Sequence, residues 1–146
     1  MATTVRRTTR TAAPTVPWAP RMLSVLRIVT GFIFMLHGTA KILHVPFQSQ
    51  FVSLPTFSLV WWAGVLELIG GLLIVLGLFT RPVAFLLSGE MAVAYFTAHA
   101  PRAFLPVLNQ GDAAVLYCFV FLYLAFAGAG PWSVDSLFNK NAPTTT

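Results

Sequence analysis

Hydrophobic positions divide the chain into four long apolar runs separated by polar or proline-bearing stretches. The runs cover about 22–43, 59–78, 83–100 and 113–129. Lengths near 20 residues match a hydrocarbon core of about 30 Å at 1.5 Å per residue. The second run, LVWWAGVLELIGGLLIVLGL, contains one ionisable residue, Glu67, near its middle. Residues 79–82, FTRP, leave room only for a tight turn, so runs two and three are expected to form an antiparallel hairpin. Pro82 suits the first turn of the third helix. The expected fold is all-α, an integral membrane four-helix bundle.

The flanks and connections are different in kind. Residues 1–20 are Thr-rich, Arg-bearing and Pro-punctuated, a composition that cannot build a core and is expected to be a disordered tail. No apolar stretch with a small-residue cleavage site follows it, so no cleaved signal peptide is expected. The membrane domain then spans 21–137, and 138–146 is a polar C-terminal tail. In 44–58, Phe47, Phe51 and Leu54 at helical spacing fit either a short amphipathic segment lying in the interface or an irregular loop. Residues 101–112 read as a loop, with two prolines and a glycine.

Composition agrees with the pattern. The chain is 57% hydrophobic and 9% charged, far below the roughly 25% charged residues of a soluble domain. Its formal charge of +5 does not imply nucleic acid, because no basic patch interleaves with solvent-facing aromatics. The basic residues act on orientation instead. Arg6, Arg7, Arg10, Arg21, Arg81 and Lys140 fall on the side of the termini, against Lys41 and Arg102 on the other. This bias predicts cytoplasmic termini in a multi-pass protein of the bacterial inner membrane. A single cysteine, Cys118, excludes an intramolecular disulfide and any cysteine-based metal cluster, and no metal site is expected.

Candidate chemistry lies in the ionisable residues inside the runs. At 100° per residue, Arg27, Gly31, Phe34, Gly38 and Lys41 share a sector of about 80°, with His37 beside it. With run midpoints near Phe32, Ile69 and Met91, Glu67 lies about 3 Å to the outer side and Glu90 within about 2 Å of the midplane. Arg27 falls about 7 Å inward and His37 about 7 Å outward on the same scale. The expected partners of Glu67 are therefore Arg27, His37 and Glu90. Such a cluster suits a protonatable site beside a quinone headgroup, with Arg27 or Lys41 holding a carbonyl oxygen. It equally suits a network that only holds helix register, and Lys41 near a span end has snorkelling as its alternative role. His37 and His99 share the outer half, but nothing in their spacing demands haem, which is not expected.

Three motifs then add a resemblance. Arg27 and Gly31 followed by HGTAKI (37–42), the stretch ELIGGLLIVLGLFTR (67–81) and the ending GAGPWSVD (128–135) together resemble the DoxX family. The resemblance implies a four-helix membrane protein acting as a small subunit of a quinone-linked oxidoreductase. Relatives include subunits associated with thiosulfate:quinone oxidoreductase and with oxidative-stress complexes. It carries Arg27, His37, Lys41, Glu67 and Arg81 over as functional positions, with Glu90 and His99 from the looser third run. No intrinsic cofactor is expected beyond a quinone, since no flavin, iron–sulfur or copper motif is present, and electron transfer needs a redox partner subunit. The lipid bilayer is the surrounding partner, and self-association is a further expectation. A small proton or solute transporter, with Glu67 and Glu90 lining a path, and a non-catalytic assembly subunit stand as alternatives.

Overall fold

The computed structural model describes residues 18–140; residues 1–17 and 141–146, where the tails are expected, lie outside it. The regular elements among the described residues are all helical, without a strand. Helix α1 spans Ala19–Ile42, α2 Leu59–Leu76, α3 Thr80–Ala94, α4 Pro106–Asn109, α5 Asp112–Ala127 and α6 Val134–Lys140. Two of these, α1 and α2, are long and apolar enough to cross a membrane, and α5 is a shorter apolar helix.

Local chemistry accounts for the boundaries. Pro20 sits in the first turn of α1, where its missing N–H costs nothing. Ser58 caps α2 by accepting the Trp61 N–H at 3.2 Å. At the other end Gly77 takes the left-handed conformation, φ 67°, and Leu78 N–H closes back onto Leu73 O at 3.0 Å. The turn into α3 is thus 77–79, earlier than FTRP suggests, and Arg81 and Pro82 are already helical. Beyond Ala94, α3 continues as a π-helical turn over Tyr95–His99. The 44–58 connection forms a single 3-10 turn at Ser49–Phe51 rather than an amphipathic helix. The expected loop at 101–112 contains α4.

Packing pairs α1 with α2 and α3 with α5, while α2 rests on α3. Helices α1 and α2 meet through facing glycines. A Cβ on Gly38 would run into the Leu68 backbone, one on Gly71 would lie 2.8 Å from Met35 Cα, and one on Gly64 would lie 2.8 Å from Lys41 Cβ. These contacts define the register of the pair. It is offset by about one helical turn, about 5.4 Å, from the alignment of Phe32 with Ile69. Helix α1 reaches α5 through aromatic rings: Phe34 lies 5.1 Å from Tyr117 and 4.8 Å from Phe121. The core is Phe34, Ile74, Ala84, Leu87, Met91, Tyr95, Phe121 and Leu124, with small residues between. Outward faces stay apolar; Phe32, Ile69, Phe85 and Phe119 are each at least half exposed. A soluble monomer rarely exposes so much contiguous apolar surface.

Candidate functional site

Gly38 and Gly64 bring the backbones of α1 and α2 together where Lys41 and Glu67 project. Lys41 Nζ donates to Glu67 Oε1 at 2.6 Å and Oε2 at 2.7 Å. Glu67 is 3% exposed, so one lysine compensates both carboxylate oxygens out of water. Phe51, from the 3-10 turn, places its ring 5.9 Å from Nζ and covers the pair. Lys41 therefore bends inward rather than extending to the interface.

Three further side chains lie within electrostatic reach of this pair. Glu90 of α3 lies within electrostatic reach of both Glu67 and Lys41. Its two oxygens are buried and have no hydrogen-bond partner among the described residues. Tyr117 of α5 feels the charge of Glu67, and His37 feels that of Lys41. The His37 and Tyr117 rings meet edge to face at 6.0 Å, with His37 on the exposed side. The cluster is thus assembled from four helices: His37 and Lys41 on α1, Glu67 on α2, Glu90 on α3 and Tyr117 on α5. It combines an ammonium, two carboxyls, an imidazole and a phenol, enough to hold a carbonyl oxygen and to pass protons between neighbours.

Arg27 takes no part in it. Fully buried, it donates from Nε to Ala129 O at 2.8 Å, from Nη1 to Ile74 O and to Val75 O at 2.6 Å, and from Nη2 to Trp132 O. Every partner is a backbone carbonyl. Ile74 and Val75 belong to the last turn of α2, where carbonyls lack intrahelical donors and the helix dipole is negative. The pairing with a carboxylate expected from depth is replaced by the one-turn offset, which carries Arg27 to the end of α2. Asp135 completes the arrangement by capping α3, accepting Phe79 N–H at 2.8 Å and Thr80 N–H at 2.9 Å. Ser24 Oγ accepts Trp132 N–H at 3.1 Å. The GAGPWSVD segment is thereby tied to α1 and to the α2–α3 turn.

Arg81 is exposed at this same end, beside Gly128, roughly nine residues along α3 from Glu90. His99 lies on the loop side, its Nδ1 3.1 Å from Asn109 O and its ring stacked on Tyr95 at 6.4 Å. It serves the loop around Asn109, whose side chain is 2% exposed and binds Ala103 O and Gly111 N–H. Sequence reasoning passed over Tyr117 and Asn109; a tyrosine in the middle of an otherwise apolar helix was the available signal for the first. Among the described residues no group of three His, Cys, Asp or Glu side chains converges on a metal position. Two surface concavities, of about 520 and 220 Å³, lie at the Arg81 end.

Membrane-length helices, apolar outward faces and polar groups turned inward define the class: a helical membrane protein. The DoxX family model matches residues 22–100, and the chain belongs to the DoxX family. An uncharacterized protein of Haemophilus influenzae is 44% identical over 84% of this chain and 95% of its own length. CatD of Bacillus subtilis, provisionally named an oxidoreductase, is 31% identical over 80% and 86%. An uncharacterized membrane protein of Mycobacterium tuberculosis is 27% identical over 92% and 94%. No solved structure matches the chain. The family match contains Arg27, His37, Lys41, Glu67, Arg81, Glu90 and His99, and it ends before Tyr117 and GAGPWSVD.

Proposed function

We propose that this chain is a four-helix, multi-pass subunit of a quinone/quinol-linked oxidoreductase system in the bacterial inner membrane, with cytoplasmic termini. The headgroup site in this reading is Lys41, Glu67, Glu90, His37 and Tyr117. One observation carries it: a buried, covered Lys41–Glu67 pair stands beside a second carboxylate with both oxygens buried and no partner among the described residues. The donor set fits a quinone. Lys41 uses two of its N–H groups on Glu67 and keeps a third for a carbonyl oxygen, while Glu90 can accept from a hydroxyl. A bound quinone supplies a two-electron, two-proton couple. The chain's own side chains orient the ring, exclude water and hold a proton at Glu90 or His37. The His37–Tyr117 edge gives a lipid-soluble ligand a lateral approach between α1 and α5. The oxidoreductase name of CatD points the same way, with the electrons passing to or from a partner subunit.

The test is quinone retention. Wild type, K41M, E90Q and R102Q are purified in mild detergent and their extracted lipids quantified. Bound quinone is expected in wild type and R102Q and about tenfold less in K41M and E90Q, the loss of one charge-assisted contact. Equal quinone in all four overturns the reading. Proton flux in liposomes that E67Q abolishes, without quinone binding, would instead establish a transporter.

A further inference from the structure

The Arg81 end carries a second binding feature, independent of the quinone reading. A cleft of about 520 Å³ opens between the α2–α3 turn and the C-terminal segment, walled by Phe79, Thr80, Arg81, Pro82, Asp135 and Phe138. A smaller hollow of about 220 Å³ adjoins it, lined by Gly128, Gly130, Ser133 and Ser136, and Arg81 borders both. We propose that Arg81 holds the phosphate of a net-anionic ester here, the headgroup of an anionic phospholipid.

Four observations lead to this ligand. First, Lys41–Glu67 is the one carboxylate ion pair among the described residues, so the exposed Arg81 guanidinium has no acidic side chain bound to it there. Its planar fork matches two phosphate oxygens. Second, Asp135, the acid in the wall, is already engaged: its oxygens take the Phe79 and Thr80 N–H groups. Arg27 lies close enough to offset its charge. Arg27 and Arg81 against Asp135 leave one positive charge for an anion. Third, Thr80 is fully buried in the cleft wall and its Oγ1 lacks a partner among the described residues. A hydroxyl with a free hydrogen is what a phosphate oxygen accepts from. Fourth, Phe79 and Phe138 at the rim are 64% and 65% exposed. An apolar rim at the end of membrane-length helices suits acyl chains rather than a free ion, and basic pockets at such ends are where anionic headgroups bind.

The experiment is a lipid titration of the delipidated full chain in detergent, followed by native mass spectrometry. The probes are phosphatidylglycerol, phosphatidylcholine and inorganic phosphate; the variants are R81Q, R81K and R102Q. Wild type and R102Q are expected to prefer phosphatidylglycerol over phosphatidylcholine. R81Q should lose about tenfold in phosphatidylglycerol affinity, and R81K a smaller factor because it keeps the charge without the fork. Inorganic phosphate that competes only weakly supports the lipid headgroup as the source. Phosphate that binds as tightly as the lipid, and depends on Arg81, keeps the phosphate site and reassigns its source to a free anion. Equal phosphatidylglycerol affinity in wild type and R81Q, or equal affinity for the two lipids in wild type, overturns the proposal. Thermal unfolding of lipid-free R81Q alongside wild type separates lost binding from lost fold, and should R81Q unfold, R81K decides: wild-type phosphatidylglycerol affinity in R81K overturns the contact.

Discussion

Two inward-turned cations, the half-buried Lys41 and the fully buried Arg27, show how differently this chain handles positive charge. Lys41 delivers a compact charge to one carboxylate, whereas Arg27 spreads its donors over four backbone carbonyls. Removing one member of a buried pair strands the other. We therefore expect Lys41→Met to lower the unfolding free energy by about 3–5 kcal/mol, and the double variant Lys41→Met with Glu67→Leu to recover much of it. Thermal or denaturant unfolding in one detergent checks both; equal stability of wild type and Lys41→Met would show the pair to be dispensable. Glu90→Gln breaks no hydrogen bond made within the described residues, so its stability should stay within about 1 kcal/mol of wild type. A Glu90→Gln protein that folds yet loses its ligand separates role from fold.

Helix pairs hold their register through surfaces without side chains. Gly31, Gly38, Gly64 and Gly71 let α1 and α2 approach until backbone meets backbone, the packing that serves where apolar burial gives no preference between protein and lipid. Gly38→Leu should force the helices apart and weaken the Lys41–Glu67 pair with them; a changed Lys41–Glu67 coupling in double-variant cycles would register it. The α2–α3 turn depends on Gly77 at φ 67°, where a Cβ would also lie 2.8 Å from the Arg27 guanidinium carbon. Gly77→Ala is expected to cost at least about 1 kcal/mol. Asp135→Ala removes both N-terminal contacts to α3 and should cost about 0.5–2 kcal/mol, seen as faster amide exchange at residues 79 and 80.

At the scale of the whole molecule, the two ends have separate duties. One end is a knot of Arg27, Gly77, Gly130, Ser24 and Asp135 that binds the last segment to the helix pairs. The ionisable cluster sits toward the other end. Substitutions in the knot are expected to reduce folded protein before they alter any ligand, whereas those at Glu90 or His37 should do the reverse. The proposed topology has its own check. In a Cys118→Ser background, Arg102→Cys should react with a membrane-impermeant thiol reagent applied from the periplasmic side and Phe138→Cys should not; the opposite pattern would invert the orientation.

The amino-acid sequence alone determines what depends on composition and local order. It sets the helical class, the membrane character, the second apolar run from residue 59 and the polar stripe of α1, because run length and burial cost act within a few residues. The expectation that an acid in the middle of an apolar run turns inward also holds for Glu67, since hydrocarbon offers it no other partner. Tertiary structure decided which cation meets that acid. A slip of one turn between α1 and α2 is about 5.4 Å, comparable to the reach of a lysine side chain, so counting residues from assumed midpoints cannot select among Arg27, His37 and Lys41. The glycine contacts make that selection, and they hand Glu67 to Lys41 and Arg27 to the carbonyls closing α2. The same packing brings Glu90 and Tyr117, far apart in the chain, to a single charge.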